Sequence, residues 1–162
     1  VVIEGKVRLG KGSRIRGKCF IEGNLWVGEN TTIGPFAHIR EFAFIGNNCH
    51  VGRTEVKGSV ILNSSKASHF SYIGDSVIGE KVNFGAGCKI ANLRFDDANV
   101  KVSINGEKID SGRRKLGALV MHGTKTGINS VISCGKIVGK NCVIYPLVHV
   151  KKNLKEGEVL KN

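Results

Sequence analysis

The chain has 162 residues, 41% of them apolar but only 6% aromatic, with 22 glycines and a net charge of +12. That length suits one domain able to bury a core without disulfide or metal staples. No apolar run approaches the ~18 residues of a membrane-spanning helix and no signal-peptide pattern opens the chain, so neither a membrane protein nor a secreted one is expected.

From the N-terminus an aliphatic residue recurs every six positions: Ile3, Leu9, Ile15, Ile21, Val27, Ile33, Ile39, Ile45 and Val51. Four positions after each stands a mostly small or aliphatic residue, as in Val7, Ser13, Cys19, Leu25, Thr31, Ala37, Ala43 and Cys49. Glycine follows the aliphatic at Gly10, Gly28, Gly34, Gly46 and Gly52, where it is expected to serve an unusual corner backbone. Neither a 3.6-residue helix nor a long alternating strand produces this pattern. A sheet coiled into a triangular prism does, with one short face and one corner per hexapeptide and the aliphatic pointing inward.

The six-residue period lapses after Val51, where Lys57 takes the next aliphatic place, and resumes at Ile73, Ile78, Phe84 and Ile90. The gap holds Lys66-Ala67-Ser68-His69-Phe70-Ser71-Tyr72, and a regular scaffold tends to break its own rule where function sits. A second lapse runs from Leu93 to Gly117. Within it Val100–Ile109 alternates apolar and polar residues around Asn105-Gly106, which predicts a projecting β-hairpin followed by basic Arg113-Arg114-Lys115. Val120, Thr126, Ile132, Val138, Ile144 and Val150 then complete the prism.

Cys19, Cys49, Cys88 and Cys142 fall at the small-residue position; with Cys134 they make an odd set lacking CxxC spacing, which fits reduced thiols in the cytoplasm better than zinc or disulfides. The basic residues are scattered and few aromatics are available for stacking, so nucleic acid is not expected; the charge suits solubility or attraction of small phosphorylated ligands. Trp26, Phe36, Phe42 and Phe44 lie on outer faces, and three-fold packing of prisms would cover one such face.

No two of His38, His50, His69, His122 and His149 are close in sequence, which argues against a metal site. His38, His50 and His149 take the sixth position of a hexapeptide, expected at a surface corner, and His122 is ambiguous. His69 differs, lying outside the repeat with Tyr72 three residues on. Imidazole exchanges protons near neutral pH, so His69 is a candidate general base. Arg40, at a repeat-glycine place, and Lys57 fall on neighbouring coils near the His69 segment, a candidate phosphate site. Asn83 and Asn92 are the other unusual polar positions.

At these residues a family resemblance emerges. Ile33-Gly34-Pro35-Phe36-Ala37-His38-Ile39-Arg40, Glu55-Val56-Lys57, His69-Phe70-Ser71-Tyr72-Ile73-Gly74-Asp75 and Val82-Asn83-Phe84-Gly85-Ala86-Gly87 resemble the acetyltransferase domain of the bifunctional N-acetylglucosamine-1-phosphate uridyltransferase / glucosamine-1-phosphate N-acetyltransferase. Ala91–Asp96 and Ser111–Gly117 resemble its archaeal branch. The resemblance implies an all-β fold, a left-handed parallel β-helix, over one domain, 1–162, that forms the C-terminal part of a two-domain cytoplasmic enzyme. It also implies a homotrimer with sites at subunit interfaces. Its substrates would be acetyl-CoA and an amino-sugar 1-phosphate (glucosamine-1-phosphate and, as in some members of that branch, galactosamine-1-phosphate), with no metal, nucleic acid or membrane partner.

By position, His69 would be the base and Asn92 would orient amine and thioester. Arg40 and Lys57 would hold the phosphate, Tyr72 and Asn83 the sugar, and Lys115 or Lys101 would complete the acceptor site. Gly85 and Ala86 would line the thioester, with Ile128, Pro146, Lys151 and Lys152 along the rest of acetyl-CoA. Two departures from the family pattern stand out: the short Val51–Glu55 segment, expected to shift Lys57, and Met121-His122, expected to remodel its corner. Another hexapeptide-repeat acyltransferase, or a non-catalytic trimerising domain of a nucleotidyltransferase, stays open as an alternative.

Overall fold

A computed structural model describes residues 1–161; Asn162, the last residue of the expected domain, lies outside the described residues. The chain winds as a left-handed parallel β-helix, with no helix among the described residues and hence none long and apolar enough to cross a membrane. Three ladders of short parallel strands form the faces of the prism. Along the first face the inward residues are Ile3, Ile21, Ile39, Val56, Ile73, Ile90, Ile132 and Val150. The second stacks Leu9, Val27, Ile45, Ile61, Ile78, Val120, Val138 and Leu154. The third stacks Ile15, Ile33, Val51, Ala67, Phe84, Thr126, Ile144 and Leu160.

From Ile21 to Leu154 these residues are buried, whereas Ile3 and Leu9 in the first described coil are exposed. Each buried aliphatic contributes about 1.5–3 kcal/mol by leaving water, so the prism is held by many like terms, each dependent on its neighbours.

Most corners follow one rule. Three residues before an inward aliphatic, the backbone takes positive φ, as at Lys18, Asn30, Phe36, Asn48, Ser64, Phe70, Asp75, Lys81, Asn129, Asn141 and Leu147. The glycines expected to serve this turn serve another need. Of Gly10, Gly28, Gly34, Gly46 and Gly52 only Gly34 has positive φ. The others sit where stacked corners touch: a Cβ on Gly10 would lie 2.5 Å from the Gly28 backbone, and one on Gly52 2.2 Å from the Ser68 carbonyl oxygen.

The lapse after Val51 is no interruption of the prism. The inward positions continue through Val56, Ile61, Ala67 and Ile73, with two five-residue rungs replacing six-residue ones, and the strands His38–Ile45, His50–Ile61 and Lys66–Gly74 bend around corners without stopping. Lys57 therefore stands one place past the inward residue, and His69 lies on the repeat rather than outside it. In this stretch the small slot is filled by Thr54, Ser59, Ser65, Ser71 and Ser76, all buried. Their hydroxyls donate to coil carbonyls, Ser65 Oγ to Gly79 O at 2.7 Å and Ser76 Oγ to Gly74 O at 2.7 Å, while Ser59 Oγ accepts from the Ser76 N–H. Polar residues thus do what Cys and Ala do elsewhere, which hides the repeat from a search for apolar periodicity.

The hairpin is present as Lys101–Ile104 paired antiparallel with Glu107–Asp110, turning at Asn105 and Gly106, both at positive φ. Its base is tied down: Val100 is buried, and the Asn153 amide donates to the Ser103 carbonyl at 2.7 Å. The corner at Met121-His122 keeps the regular geometry instead of being remodelled. Here the side chain two past the aliphatic accepts from the backbone N–H of the coil before it: Asn47 from Glu29, Asn63 from Asn47, and His122 Nδ1 from Glu80 at 2.8 Å. His122 thus replaces a ladder asparagine.

Candidate active site

Two corners flank the first face, and the candidate residues divide between them. The corner entering this face carries, one or two places after the inward residue of each third-face rung, Pro35, Arg53, His69, Gly85-Ala86, Ile128 and Pro146. Backbone bonds stack this ridge: Gly87 N–H donates to the His69 carbonyl at 3.0 Å, Asn129 N–H to Ala86 at 2.7 Å and Leu147 N–H to Ile128 at 3.0 Å. The structure therefore brings His69 into one column with Gly85, Ala86, Ile128 and Pro146. Gly85 cannot bear a side chain, since its Cβ would meet Gly127 at 2.5 Å, and its N–H is already committed to both oxygens of Thr126.

The His69 side chain is exposed and lines a cleft of about 230 Å³ with Arg16, Pro35, Phe36, His50, Arg53, Ser68 and Phe70. His50 lies half-buried, its Nδ1 3.2 Å from Ser68 Oγ. Burial pushes the His50 pKa down, and the neighbouring His69, Arg16 and Lys66 push the same way against a backbone hydrogen bond.

The corner leaving the first face carries the second group. Lys57 is only 4% exposed, its Nζ 2.9 Å from Glu41 Oε1 and 3.1 and 3.2 Å from the two Asp75 oxygens. Burial opposes its charge, but the two carboxylates outweigh that and raise its pKa. The Asn92 amide donates to Asp75 Oδ2 and lies 3.1 Å from the Tyr72 hydroxyl. Burial, then the Glu55 charge, raises the Tyr72 pKa. Arg40 Nη1 donates to Glu55 Oε1 at 2.7 Å, its Nε lies 3.7 Å from Glu22 Oε2, and Glu55 is the main cause of its raised pKa. Lys115, beside Arg113 and Arg114, lines an open cleft with Glu41, Lys57 and Asp75.

The two expected phosphate ligands are thus already paired with carboxylates in the free chain. Sequence reasoning missed those partners, Asp75, Glu41 and Glu55, because charge pairing across coils depends on register. The short Val51–Glu55 segment does not displace Lys57, which stays level with Arg40 and Gly74; the shift is absorbed between Arg53 and Glu55.

The remaining candidates lie apart from both groups. Asn83 is exposed on the third face, level with Lys66 and Lys125. Lys101 is at the hairpin base opposite Asp110, Lys151 is exposed, and Lys152 Nζ is 3.4 Å from Glu158. His38, His50 and His149 stand on flat strands immediately before an inward residue, not at corners, because strand alternation turns that side chain outward. The outer aromatics do not share a face either: Trp26 stacks on Phe44 at 4.4 Å beside Phe42, while Phe36 lies on the His69 ridge. Among the described residues no group of three His, Cys, Asp or Glu is placed to hold a metal ion.

The chain is 44% identical over 162 residues to "Bifunctional sugar-1-phosphate nucleotidylyltransferase/acetyltransferase" of Sulfurisphaera tokodaii, a match covering 99% of this chain and 40% of that protein. It is 42% identical over 145 residues to "Bifunctional protein GlmU" of Methanocaldococcus jannaschii, covering 89% of this chain and 35% of that protein. The chain therefore spans about two-fifths of the length of such relatives, and they bear out the resemblance drawn from its motifs. The polySia-specific acetyltransferase NeuO shares the fold with TM-score 0.58 at 14% identity, covering 94% of this chain and 80% of that one. AntD, an N-acyltransferase from Bacillus cereus, does so at 0.50 and 18%, covering 98% and 79%. Residues 21–112, more than half of the chain and the stretch that holds Arg40, Lys57, His69, Tyr72 and Asn92, match the family described as GMPPB C-terminal domain, and the chain belongs to that family.

Proposed function

We propose that the chain is the acetyltransferase module of a cytoplasmic sugar-phosphate enzyme, moving acetyl from acetyl-CoA to the 2-amine of an amino-sugar 1-phosphate. The observation that carries the reading is the single ridge joining His69 to Gly85-Ala86, Ile128 and Pro146, beside a face that ends in Tyr72, Asn92 and Lys57. The ridge suits an extended thioester donor, with Lys151 and Lys152 toward its phosphates. The face suits a polar sugar.

In the proposed reaction the neutral amine attacks the thioester carbonyl, forming the C–N bond, and His69 takes the proton lost from nitrogen. The tetrahedral oxyanion then collapses, the C–S bond breaks, and the thiolate leaves and is protonated. Gly85 N–H is occupied by Thr126, so Ala86 N–H is the donor proposed for the oxyanion. Asn92, held by Asp75 and Tyr72, orients the acceptor, and Asn83 and Tyr72 contact the sugar. Arg40 and Lys57 meet the 1-phosphate when Glu22, 3.7 Å from Arg40, and half-exposed Glu41 give way. Lys115 is favoured over Lys101 as the insert lysine because it lines the Lys57 cleft.

The His69 and Lys57 groups lie at opposite ends of one face, on the order of 10 Å apart at 3.3 Å per residue. That separation supports a homotrimer in which one chain's ridge faces its neighbour's Lys57 corner. The test is thiol release from acetyl-CoA with glucosamine-1-phosphate, galactosamine-1-phosphate, free amino sugars and nucleotide-linked amino sugars side by side. Turnover confined to the 1-phosphates, reduced by about 100-fold or more in His69→Ala with acetyl-CoA binding retained, is the expected result. Release with none of them refutes the reading and leaves an assembly domain of a nucleotidylyltransferase.

A further inference from the structure

The cleft at His69 contains two cations, Arg16 and Arg53, that have no part in the proposed acyl transfer. Arg16, Phe36, His50, Arg53 and Phe70 surround the imidazole, and no carboxylate lines the cleft. Among the described residues neither Arg16 nor Arg53 has an ion-pair partner, whereas Arg40 and Lys57 each have two. Arg53 stands two places past inward Val51 as His69 stands two past inward Ala67, and the pairing of Val51 with Ala67 sets Arg53 level with His69 on the next coil. Its guanidinium is held over the Phe36 ring at 4.4 Å and over Phe70 at 5.2 Å. Such stacking uses the faces of the guanidinium and leaves its in-plane N–H groups to an anion. The lowered His50 pKa is what an excess of positive charge in this cleft produces in addition to burial.

We infer that the cleft is an organophosphate site in which Arg53 and Arg16 hold a phosphate group against His69. In the proposed reaction the acceptor carries its amine and its phosphate on adjacent carbons. An amine within reach of His69 therefore brings the phosphate within reach of Arg53 on the same ridge, in addition to the Arg40 and Lys57 of a neighbouring copy, since those of the same chain lie at the far end of the face. This inference rests on the proposed reaction only for the origin of the phosphate, which belongs either to the acceptor or to acetyl-CoA.

The experiment compares wild type with Arg53→Gln, Arg53→Lys and Arg16→Gln in two arms. In the kinetic arm, KM is measured for glucosamine-1-phosphate and for acetyl-CoA. A rise of about ten-fold or more in one of them in Arg53→Gln, the scale of one lost charge-assisted contact, with partial rescue by Arg53→Lys, supports the site and names the source. In the binding arm, inorganic pyrophosphate is titrated while the His50 and His69 ring protons are followed by NMR, which needs no turnover. Shifts in wild type that weaken about ten-fold in Arg53→Gln support the site even if no amino-sugar phosphate is acetylated. Unchanged KM values together with unchanged pyrophosphate binding in variants of native circular dichroism overturn it.

Discussion

Replacing Lys57 with methionine isolates the buried ion pair that organises the corner leaving the first face. The Lys57 and Asp75 side chains are only 5% and 8% exposed, so the Lys57→Met variant strands a carboxylate that keeps only the Asn92 amide. Removing one member of a buried pair costs about 3–5 kcal/mol, because the surviving charge has lost both water and partner. Glu41, half-exposed, adds little. At about 2–4 °C per kcal/mol for a chain of this size, the expected loss in Tm is about 10 °C. The assay is urea and thermal unfolding followed by circular dichroism for Lys57→Met, Asp75→Asn and the double variant. The double variant is expected to lose less than the sum of the two singles, since it leaves no stranded charge. A loss below about 1 kcal/mol in Lys57→Met, or strict additivity, would show that water reaches Asp75 and that the pair does not hold this corner.

Stacking rather than backbone freedom makes most corner glycines necessary. Gly127→Ala, whose Cβ would fall 2.3 Å from the Pro146 nitrogen, should cost about 1–3 kcal/mol in urea unfolding. Gly17→Ala, with nothing within 4 Å and no positive φ, should be near neutral; equal effects would sink this account. Because the folded state holds the His50 pKa below its ordinary 6.5, the unfolded chain takes up more protons there, and stability should fall as pH drops through about 6.5 and below. His50→Gln should flatten that part of the Tm-versus-pH curve, and an unchanged slope would assign it to other groups. His122→Asn should keep the ladder bond to Glu80, while His122→Leu should lose about 1 kcal/mol; equal stabilities would remove the ladder role.

How far the sequence can be read depends on how local each cause is. The inward aliphatics from Ile21 to Val51 and from Val120 to Val150 were legible because each coil repeats the same requirement at the same spacing. The hairpin was legible because Asn105-Gly106 favours the required backbone locally. Between Val51 and Ile73 the period was not legible, for two physical reasons. Serines and threonines that bond to carbonyls of the next coil replace apolar residues in the small slot. Rungs of five residues also move every later position by one.

Of the candidate site, sequence alone picked out His69, Tyr72, Asn83 and Asn92 as chemically unusual, and the family motifs suggested their roles. It could not show that Lys57 is buried between Glu41 and Asp75, that Asn92 bonds to both Asp75 and Tyr72, or that Arg53 lies level with His69. Those partners are separated by 16 to 20 residues in the chain and become neighbours only when the coils stack. The repeat, a property of each hexapeptide, thus determined the prism. Which charges face one another was decided by the stacking of the coils, since a shortened rung is absorbed locally at its corner and the inward residues on either side keep their register.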